Sequence, residues 1–480
     1  MNRNTIYITI GIIMIATAFV AIFSHSTSPL YCDHYDYPDS DIFQIIGKYW
    51  SEGHIPYIEL WDMKGPYIFL LNAMGYYLTG TRFGVFLIQI VFLCATLWFT
   101  YLTFRTHSSV RISAIATLAS LLPLSYTYQG GNLTEEYLLP FLALSFLLIL
   151  RWGTDVQRRH VTNHPPIYSI LYGATLGLSL MSRLTNSLPV CAAVIVISIF
   201  LLRHKLYRNL WFNACTFIIG FLCTTLPFIL YFHSHHALTE MWNATFIYPF
   251  EYAQKSTRGF SNTGIHNFIL NYWNSIILLA IAVWGVIRYR KTDIKFWLWF
   301  MSALLPFLWF CQGNHFGHYG MTVFPLFAIS MIELSRLHLK RLSTAVILVM
   351  TVACATKIRY SYIIHNAHSP KEHLYSDFLQ SCKEIDYSSF AAYDCAPLLY
   401  LALDIHPAIP YFSLQEMAFE RQMTLSDNIT NSFRSLKAEW ILVDYEWTKD
   451  IAIQQILNQY YSAVMVSDDN HLVLYRKRCM

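Results

Sequence analysis

The chain has 480 residues, 55% hydrophobic and 13% charged, with a formal net charge of +4. Soluble domains carry about 25% charged residues, so the composition excludes an ordinary water-soluble protein, and no basic run suggests a nucleic-acid partner. The apolar residues fall in blocks of roughly 16–24 separated by short polar breaks, and about 18 or more can cross a bilayer.

In chain order, the first block, 6–23, reads as a retained helix, because it is long and no small-residue cleavage site clearly follows it. A long polar loop, about 24–82, comes next. It holds two helix-like pieces near 41–52 and 66–79 that are too short or too polar to span, and these are expected along the membrane surface. Further spans are expected near 83–104, 110–126, 136–152, 167–182, 188–203, 210–232, 267–287, 296–311, 319–335 and 342–356, about eleven in all. A sizeable loop near 234–266 carries aromatics suited to a membrane interface. Beyond 356 the pattern stops. There "FAAYD", "WILVDY" and "LVLYRK" read as strands and 413–424 as helix. The expected fold class is mainly α: a polytopic membrane domain over 1–356, followed by a small soluble α/β domain over 357–480.

Alternate loops are basic: Arg105 and Arg111; Arg151, Arg158 and Arg159; Arg203, Lys205 and Arg208; Arg288, Arg290, Lys291 and Lys295; Arg336, Lys340 and Arg341. Basic loops stay cytoplasmic. The N-terminus is therefore expected inside, with the first long loop and the C-terminal domain outside, in a bacterial inner or plasma membrane. Of ten cysteines, Cys94, Cys191, Cys215, Cys223, Cys311 and Cys354 lie in or beside apolar blocks, and no zinc-type spacing occurs. A Cys382–Cys395 bridge is open if the C-terminal domain faces an oxidising compartment.

Polar groups at a membrane face are costly and therefore point to function. Four clusters fall on the expected outer side. The first, Tyr31 to Asp41, places four acids within nine residues. Asp41 with Gln44 fits a capping box, which leaves Asp39 as the better catalytic candidate. The second is Trp61-Asp62-Met63-Lys64-Gly65-Pro66. Asp62 and Lys64 either pair at the surface or offer Lys64 to a phosphate. In the third, Gln129 to Tyr137, Asn132 with Glu135 fits a helix cap and leaves Glu136 over. The fourth, Gln312 to Tyr319, holds His315 and His318, which could share a metal if helical but lack a local third ligand. Phosphate or carbohydrate contact is the better reading for them. Arg183 is either a snorkelling residue or a phosphate clamp. Acids with separate cations suit a reaction that deprotonates a nucleophile and stabilises a departing phosphate.

The segment 38–80 resembles the first outer loop of the GT-C glycosyltransferases, in the protein-mannosyltransferase-like and lipid A aminoarabinose-transferase-like branch, glycosyltransferase family 39. The matching residues are Asp39-Ser40, Gly53-His-Ile-Pro56-Tyr57 and Asp62-Met-Lys64-Gly65-Pro66, with "GNLTEEYLLP", "RLTN" and "HYGMTVFP" following in order. The resemblance covers about the first 330 residues. It implies a polyprenyl-phosphate-linked sugar donor, transfer on the outer face and inversion at the anomeric carbon. It further implies Asp39 as general base, Lys64 and Arg183 on the donor phosphate, His318 and Tyr319 nearby, and Glu136 or Glu135 orienting acceptor or sugar. Two departures stand out. Ser40 replaces a frequent Glu, so a second acid would come from Asp41. Asp39-Ser40-Asp41 also looks like the metal-binding Asp-x-Asp of the oligosaccharyltransferase branch. No cofactor is expected for catalysis; a divalent metal is the less favoured alternative. The acceptor, whether glycan, lipid or protein, is left open. The competing classes are a transporter or flippase of lipid-linked glycans, and a polymerase or ligase. The former usually shows mid-membrane polar breaks and internal repeats, which are absent here. The latter typically carries its functional loop late in the membrane domain.

Overall fold

The computed structural model describes residues 3–31, 38–255, 262–289, 293–311, 316–336, scattered positions within 341–356, and 371–382, 384–413, 415–445 and 451–478. The chain forms two compact units. One comprises Met1–Ser24, Ile88–Phe228 and Arg258–Ala367; the other His25–Leu87, Ile229–Thr257 and His368–Met480.

The first unit is helical. Among the described residues, seven helical segments are long and apolar enough to cross a membrane: Thr5–Phe23, Arg82–Arg105, Val110–Thr127, Glu136–Arg159, Leu184–Arg203, Tyr207–Ser234 and Phe268–Arg288. Four other expected spans differ. Those at 167–182 and 296–311 are the shorter apolar helices Pro166–Leu180 and Ile294–Phe310. The one at 319–335 begins as a 3-10 segment, Gly317–Val323, and becomes α-helical only over Pro325–Arg336. The one at 342–356 lies largely outside the described residues. Lipid offers no hydrophobic drive between helices, so close packing must supply association. Helix Pro166–Leu180 achieves this against Tyr207–Ser234 through glycines on both sides. A Cβ on Gly173 would sit 1.9 Å from the Phe217 carbonyl oxygen, and one on Gly220 1.9 Å from that of Ile170. Gly177 follows Gly173 by four residues and abuts Thr224, whose Oγ1 lies 2.1 Å from where a Cβ would stand.

In the second unit, the two helix-like pieces of the first long loop are helices Pro38–Ser51 and Pro66–Thr79. They pack closely: a Cβ on Gly47 would lie 2.4 Å from the Asn72 Cβ. Pro66 opens the second helix at its first position, where a missing N–H costs nothing. Gly80, at φ 70°, closes it with an N–H bond to the Tyr76 carbonyl. Between the helices the chain turns at Tyr57, which holds a positive φ of 72°. That conformation is uncommon for a bulky residue. It is stabilised by Tyr57 N–H donating to Leu60 O at 2.7 Å and the phenol to Lys64 O at 2.8 Å.

The C-terminal residues contribute a four-stranded sheet: β1 (Phe390–Tyr393), β2 (Trp440–Asp444), β3 (Tyr461–Val466) and β4 (Leu472–Lys477), in the order β1-β2-β4-β3. β1 and β2 are parallel; the other pairings are antiparallel. The three expected strands are present. β3 was not expected, because it is an edge strand with mostly exposed side chains and no buried alternation. The helical stretch expected at 413–424 contains helix Gln415–Glu420. The first long loop is built into this unit: Trp61 N–H bonds Pro410 O at 3.0 Å, the Trp61 ring meets Tyr411 at 5.4 Å, and Lys48 is ion-paired with Asp404.

The open Cys382–Cys395 bridge is not formed. Both thiols are free, and Cys395 is buried, with its Sγ near the carbonyls of Tyr393 (3.6 Å) and Leu442 (3.7 Å). Burial, reinforced by Asp444 and Asp394, pushes this thiol well above its ordinary pKa, as for an inert packing cysteine.

Candidate active site

The predicted site residues divide between the two units, and each group is described separately. Asp39, Asp41, Asp62 and Lys64 lie in the second unit. Asp39 and Asp41 occupy the first turn of helix Pro38–Ser51, where the helix dipole favours negative charge. Positions two apart on a helix point in different directions: Asp39 is partly exposed, whereas Asp41 is buried. The capping box expected between Asp41 and Gln44 is replaced by another arrangement, because the helix begins earlier, at Pro38. Gln44 donates to Ser40 Oγ at 3.2 Å and accepts from the Tyr76 hydroxyl at 3.2 Å. Ser40 in turn shares a 2.8 Å hydrogen bond with Ser26. Ser40 is thus a buried hydrogen-bonding residue here.

Asp62 is buried, and among the described residues its Oδ2 has no hydrogen-bond partner. Burial pushes its carboxyl pKa up to about 6; Lys64 opposes the rise and Asp39 adds to it. Asp62 thus senses both neighbouring motif charges. A buried carboxylate with an unsatisfied oxygen costs stability, and such costs concentrate at functional sites. The simple surface pair considered for Asp62 and Lys64 does not describe this geometry, because Asp62 is buried.

In the first unit, Glu135, Glu136, Arg183, His318 and Tyr319 are described; His315 lies outside the described residues. Glu135 and Glu136 are both buried, yet they do different things. Glu136 accepts from Gln89 Nε2 at 3.1 and 3.2 Å, from the Asn132 backbone N–H at 2.8 Å, and from the Tyr128 hydroxyl. Its bonds hold together the strained loop before the helix, where Gln129 and Asn132 have positive φ of 41° and 57°. The cap read for Asn132 and Glu135 is therefore made by Glu136, one residue later.

Glu135 is held differently. It pairs with Arg183 at 2.8 Å and accepts from Thr134 Oγ1 at 2.8 Å. Burial alone would raise its carboxyl pKa; the charges of His318 and Arg183, with hydrogen bonds from Thr134 and Arg183, outweigh that and hold it below the ordinary value. The guanidinium of Arg183 lies 3.3 Å from the Tyr319 ring centroid, within range of a cation–π contact. Gln129 Oε1 accepts from the His318 backbone N–H at 3.1 Å and lies 2.9 Å from its Nδ1, and the His318 ring meets Tyr319 at 4.6 Å. A Cβ on Gly317 would lie 2.4 Å from Gln129 Nε2, so any larger residue there would push the Gln129 amide aside. The loops before Glu136, around Arg183 and before Pro325 thereby bring Glu135, Arg183, His318 and Tyr319 into one cluster. Among the described residues the Arg183 guanidinium makes a single hydrogen bond, through one amino group, although a guanidinium carries five N–H donors.

No protein-family model matches the sequence, and no curated protein matches it. Comparison of structures does find similarity. The chain is similar to ArnT from Cupriavidus metallidurans bound to undecaprenyl phosphate, with a TM-score of 0.59 and 13% identity over 97% of each chain. The same values hold for ArnT in the apo state. A weaker likeness, TM-score 0.48 and 11% identity, covers 99% of this chain and 75% of the archaeal oligosaccharyltransferase AglB from Archaeoglobus fulgidus, in complex with an inhibitory peptide and a dolichol-phosphate. With helices long and apolar enough to cross a membrane and a small C-terminal sheet, the chain is an integral membrane protein that shares the fold of these ArnT structures.

Proposed function

We propose that this chain is a membrane glycosyltransferase that moves a sugar from a polyprenyl-phosphate donor to an acceptor hydroxyl, with inversion, on the outer face of a bacterial inner or plasma membrane. The observation that carries the reading is the Arg183 guanidinium. It is fixed on one side by Glu135 and on its face by Tyr319, and its further N–H groups suit the planar, bidentate grip of a phosphate. The ArnT structure, whose fold the chain shares, holds undecaprenyl phosphate.

In the proposed reaction the acceptor oxygen attacks the anomeric carbon as the bond from that carbon to the phosphate oxygen breaks. Asp39 takes the hydroxyl proton, and the polyprenyl phosphate departs with the bonding electrons. Arg183 and Lys64 neutralise the charge that develops on the leaving phosphate. Glu135 holds Arg183, and His318 and Tyr319 complete its surroundings. Asp62, poised near pH 6 by burial, is assigned to binding a substrate hydroxyl beside the base, with Asp41 supporting from the same helix. The leaving group is already activated, so positioning and charge stabilisation supply most of the rate. No metal is assigned to this reaction. The acceptor is a glycan, lipid or protein hydroxyl.

The test is mass spectrometry of envelope glycans from cells lacking the gene, complemented with the wild type or with Asp39→Asn at equal membrane abundance. One sugar-bearing species should vanish in the deletion, return with the wild type and stay absent with the variant. Full restoration by Asp39→Asn would remove Asp39 as the base.

A further inference from the structure

Within the second unit, three side chains that play no part in the proposed transfer converge. His54 and Glu59 lie in the turn between helices Pro38–Ser51 and Pro66–Thr79, and His406 lies in the C-terminal domain. One potential ligand atom from each lies within 4.8 Å of the others. His54 Nδ1 is 2.6 Å from Glu59 Oε2, and the rings of His54 and His406 lie 4.2 Å apart, tilted by 31°. All three are partly shielded from solvent.

Two bland readings apply. Glu59 also accepts the Ile55 N–H at 2.8 Å, so part of its role is to shape the turn, and His54 with Glu59 is an ordinary ion pair when the imidazole is charged. Neither reading accounts for His406. Its Nε2 is buried and has no hydrogen-bond partner among the described residues. Its ring is packed between His54 and Tyr49, at 4.2 and 4.7 Å. Two adjoining imidazoles with one carboxylate and one orphaned nitrogen form a donor set suited to a borderline-soft cation.

We propose that His54, Glu59 and His406 bind one zinc-class divalent ion, with water as fourth ligand, and that this ion ties the first outer loop to the C-terminal domain. Zinc sits roughly 2.0–2.2 Å from nitrogen and oxygen ligands, so tetrahedral ligands stand about 3.3 Å apart. The 2.6 Å pair must open slightly and the 4.8 Å limit must close by about 1.5 Å; side-chain rotations supply both. Lys48 would oppose a cation, but it is ion-paired with Asp404. The site joins the same two segments as the Trp61–Pro410 backbone bond. It is structural in kind and independent of the transfer chemistry.

The experiment takes the full-length protein in detergent, strips it with a chelator and titrates it with Zn²⁺, reading bound metal by elemental analysis and thermal midpoint by fluorescence. The expected result is one ion per chain above the content of His406→Ala and Glu59→Gln, with a rise in midpoint that both variants lose. Losing a direct ligand should weaken affinity by about 100-fold or more, since even outer partners are worth about 10–100-fold. Co²⁺ in the wild-type protein provides a readout that needs no variant, because a four-coordinate nitrogen–oxygen site gives an intense visible absorption. Wild-type protein with no such absorption, or variants that bind zinc as well as the wild type, would overturn the proposal.

Discussion

Replacing Arg183 with Ala tests the electrostatic design of the first unit. The substitution removes the 2.8 Å pair with Glu135 and the cation–π contact with Tyr319. Glu135 is left buried, with Thr134 and the His318 charge as its remaining support. Breaking a buried pair costs about 3–5 kcal/mol. Arg183 retains 23% side-chain exposure, so the low end applies, and the lost aromatic contact brings the total to about 3–4 kcal/mol near neutral pH. The sign with pH follows. In the wild type the Glu135 carboxyl is held below its ordinary value, so its contribution is present above the unfolded-state pKa, roughly 4.3, and is lost as pH falls through the folded value. In Arg183→Ala, burial dominates and the carboxyl rises above that value. The charged form then costs stability as pH increases. The gap between variant and wild type should therefore be small near pH 4.5 and grow towards pH 7.5. Thermal unfolding in detergent across that range, with Glu135→Gln and the double variant, measures it. Glu135→Gln in the Arg183→Ala background should recover stability at pH 7.5, giving a coupling of about 2 kcal/mol. A loss that is equal at every pH, with additive double-variant behaviour, would refute the reasoning.

Other substitutions separate function from packing. Asp62→Asn removes a carboxyl raised to about 6. Between about pH 4 and 6 the folded state binds more protons than the unfolded, so wild-type stability falls as pH rises through that window, by about 2–3 kcal/mol. Above pH 6 the Asn variant should be at least as stable as the wild type, while transfer falls about 100-fold; a destabilised variant at pH 7.5 would contradict this. Glu136→Ala should lower the thermal midpoint, because it removes the carboxylate that accepts from Gln89, Tyr128 and the Asn132 N–H, at about 1–3 kcal/mol for a buried donor that loses its acceptor. Unchanged stability would show that these bonds are not limiting. Gly220→Ala places a methyl 1.9 Å from the Ile170 carbonyl oxygen. It should cost about 1–3 kcal/mol or more, whereas Ala at Gly285, which has open space around it, should be nearly neutral.

Signals that depend on local composition or turn chemistry were readable in the sequence. The apolar blocks locate the long helices, and Gly65-Pro66 marks the start of helix Pro66–Thr79 because a proline tolerates only the first helical turn. The shorter spans were less legible, because apolar content alone cannot show that 319–335 opens as a 3-10 segment. Single-residue roles were less legible. Asn132 could be paired with Glu135 or Glu136 from spacing; the strained loop settles it on Glu136, and only the fold brings Arg183 to Glu135. The Gly173-xxx-Gly177 spacing was present as a close-packing signal, but its partner Gly220 lies on another helix. The meeting of His54 and Glu59 with His406 joins residues about 350 positions apart, and no local motif announces it.

The most direct test of the central claim is binding of undecaprenyl phosphate to the purified full-length protein in nanodiscs, with wild type and Arg183→Gln compared. The account predicts saturable binding by the wild type, competed by excess unlabelled lipid phosphate but not by the corresponding polyprenol, and weakened at least about tenfold in the variant, the 1.4 kcal/mol equivalent of one charged contact. Equal affinity in both proteins, or polyprenol competing as well as the phosphate, would contradict it.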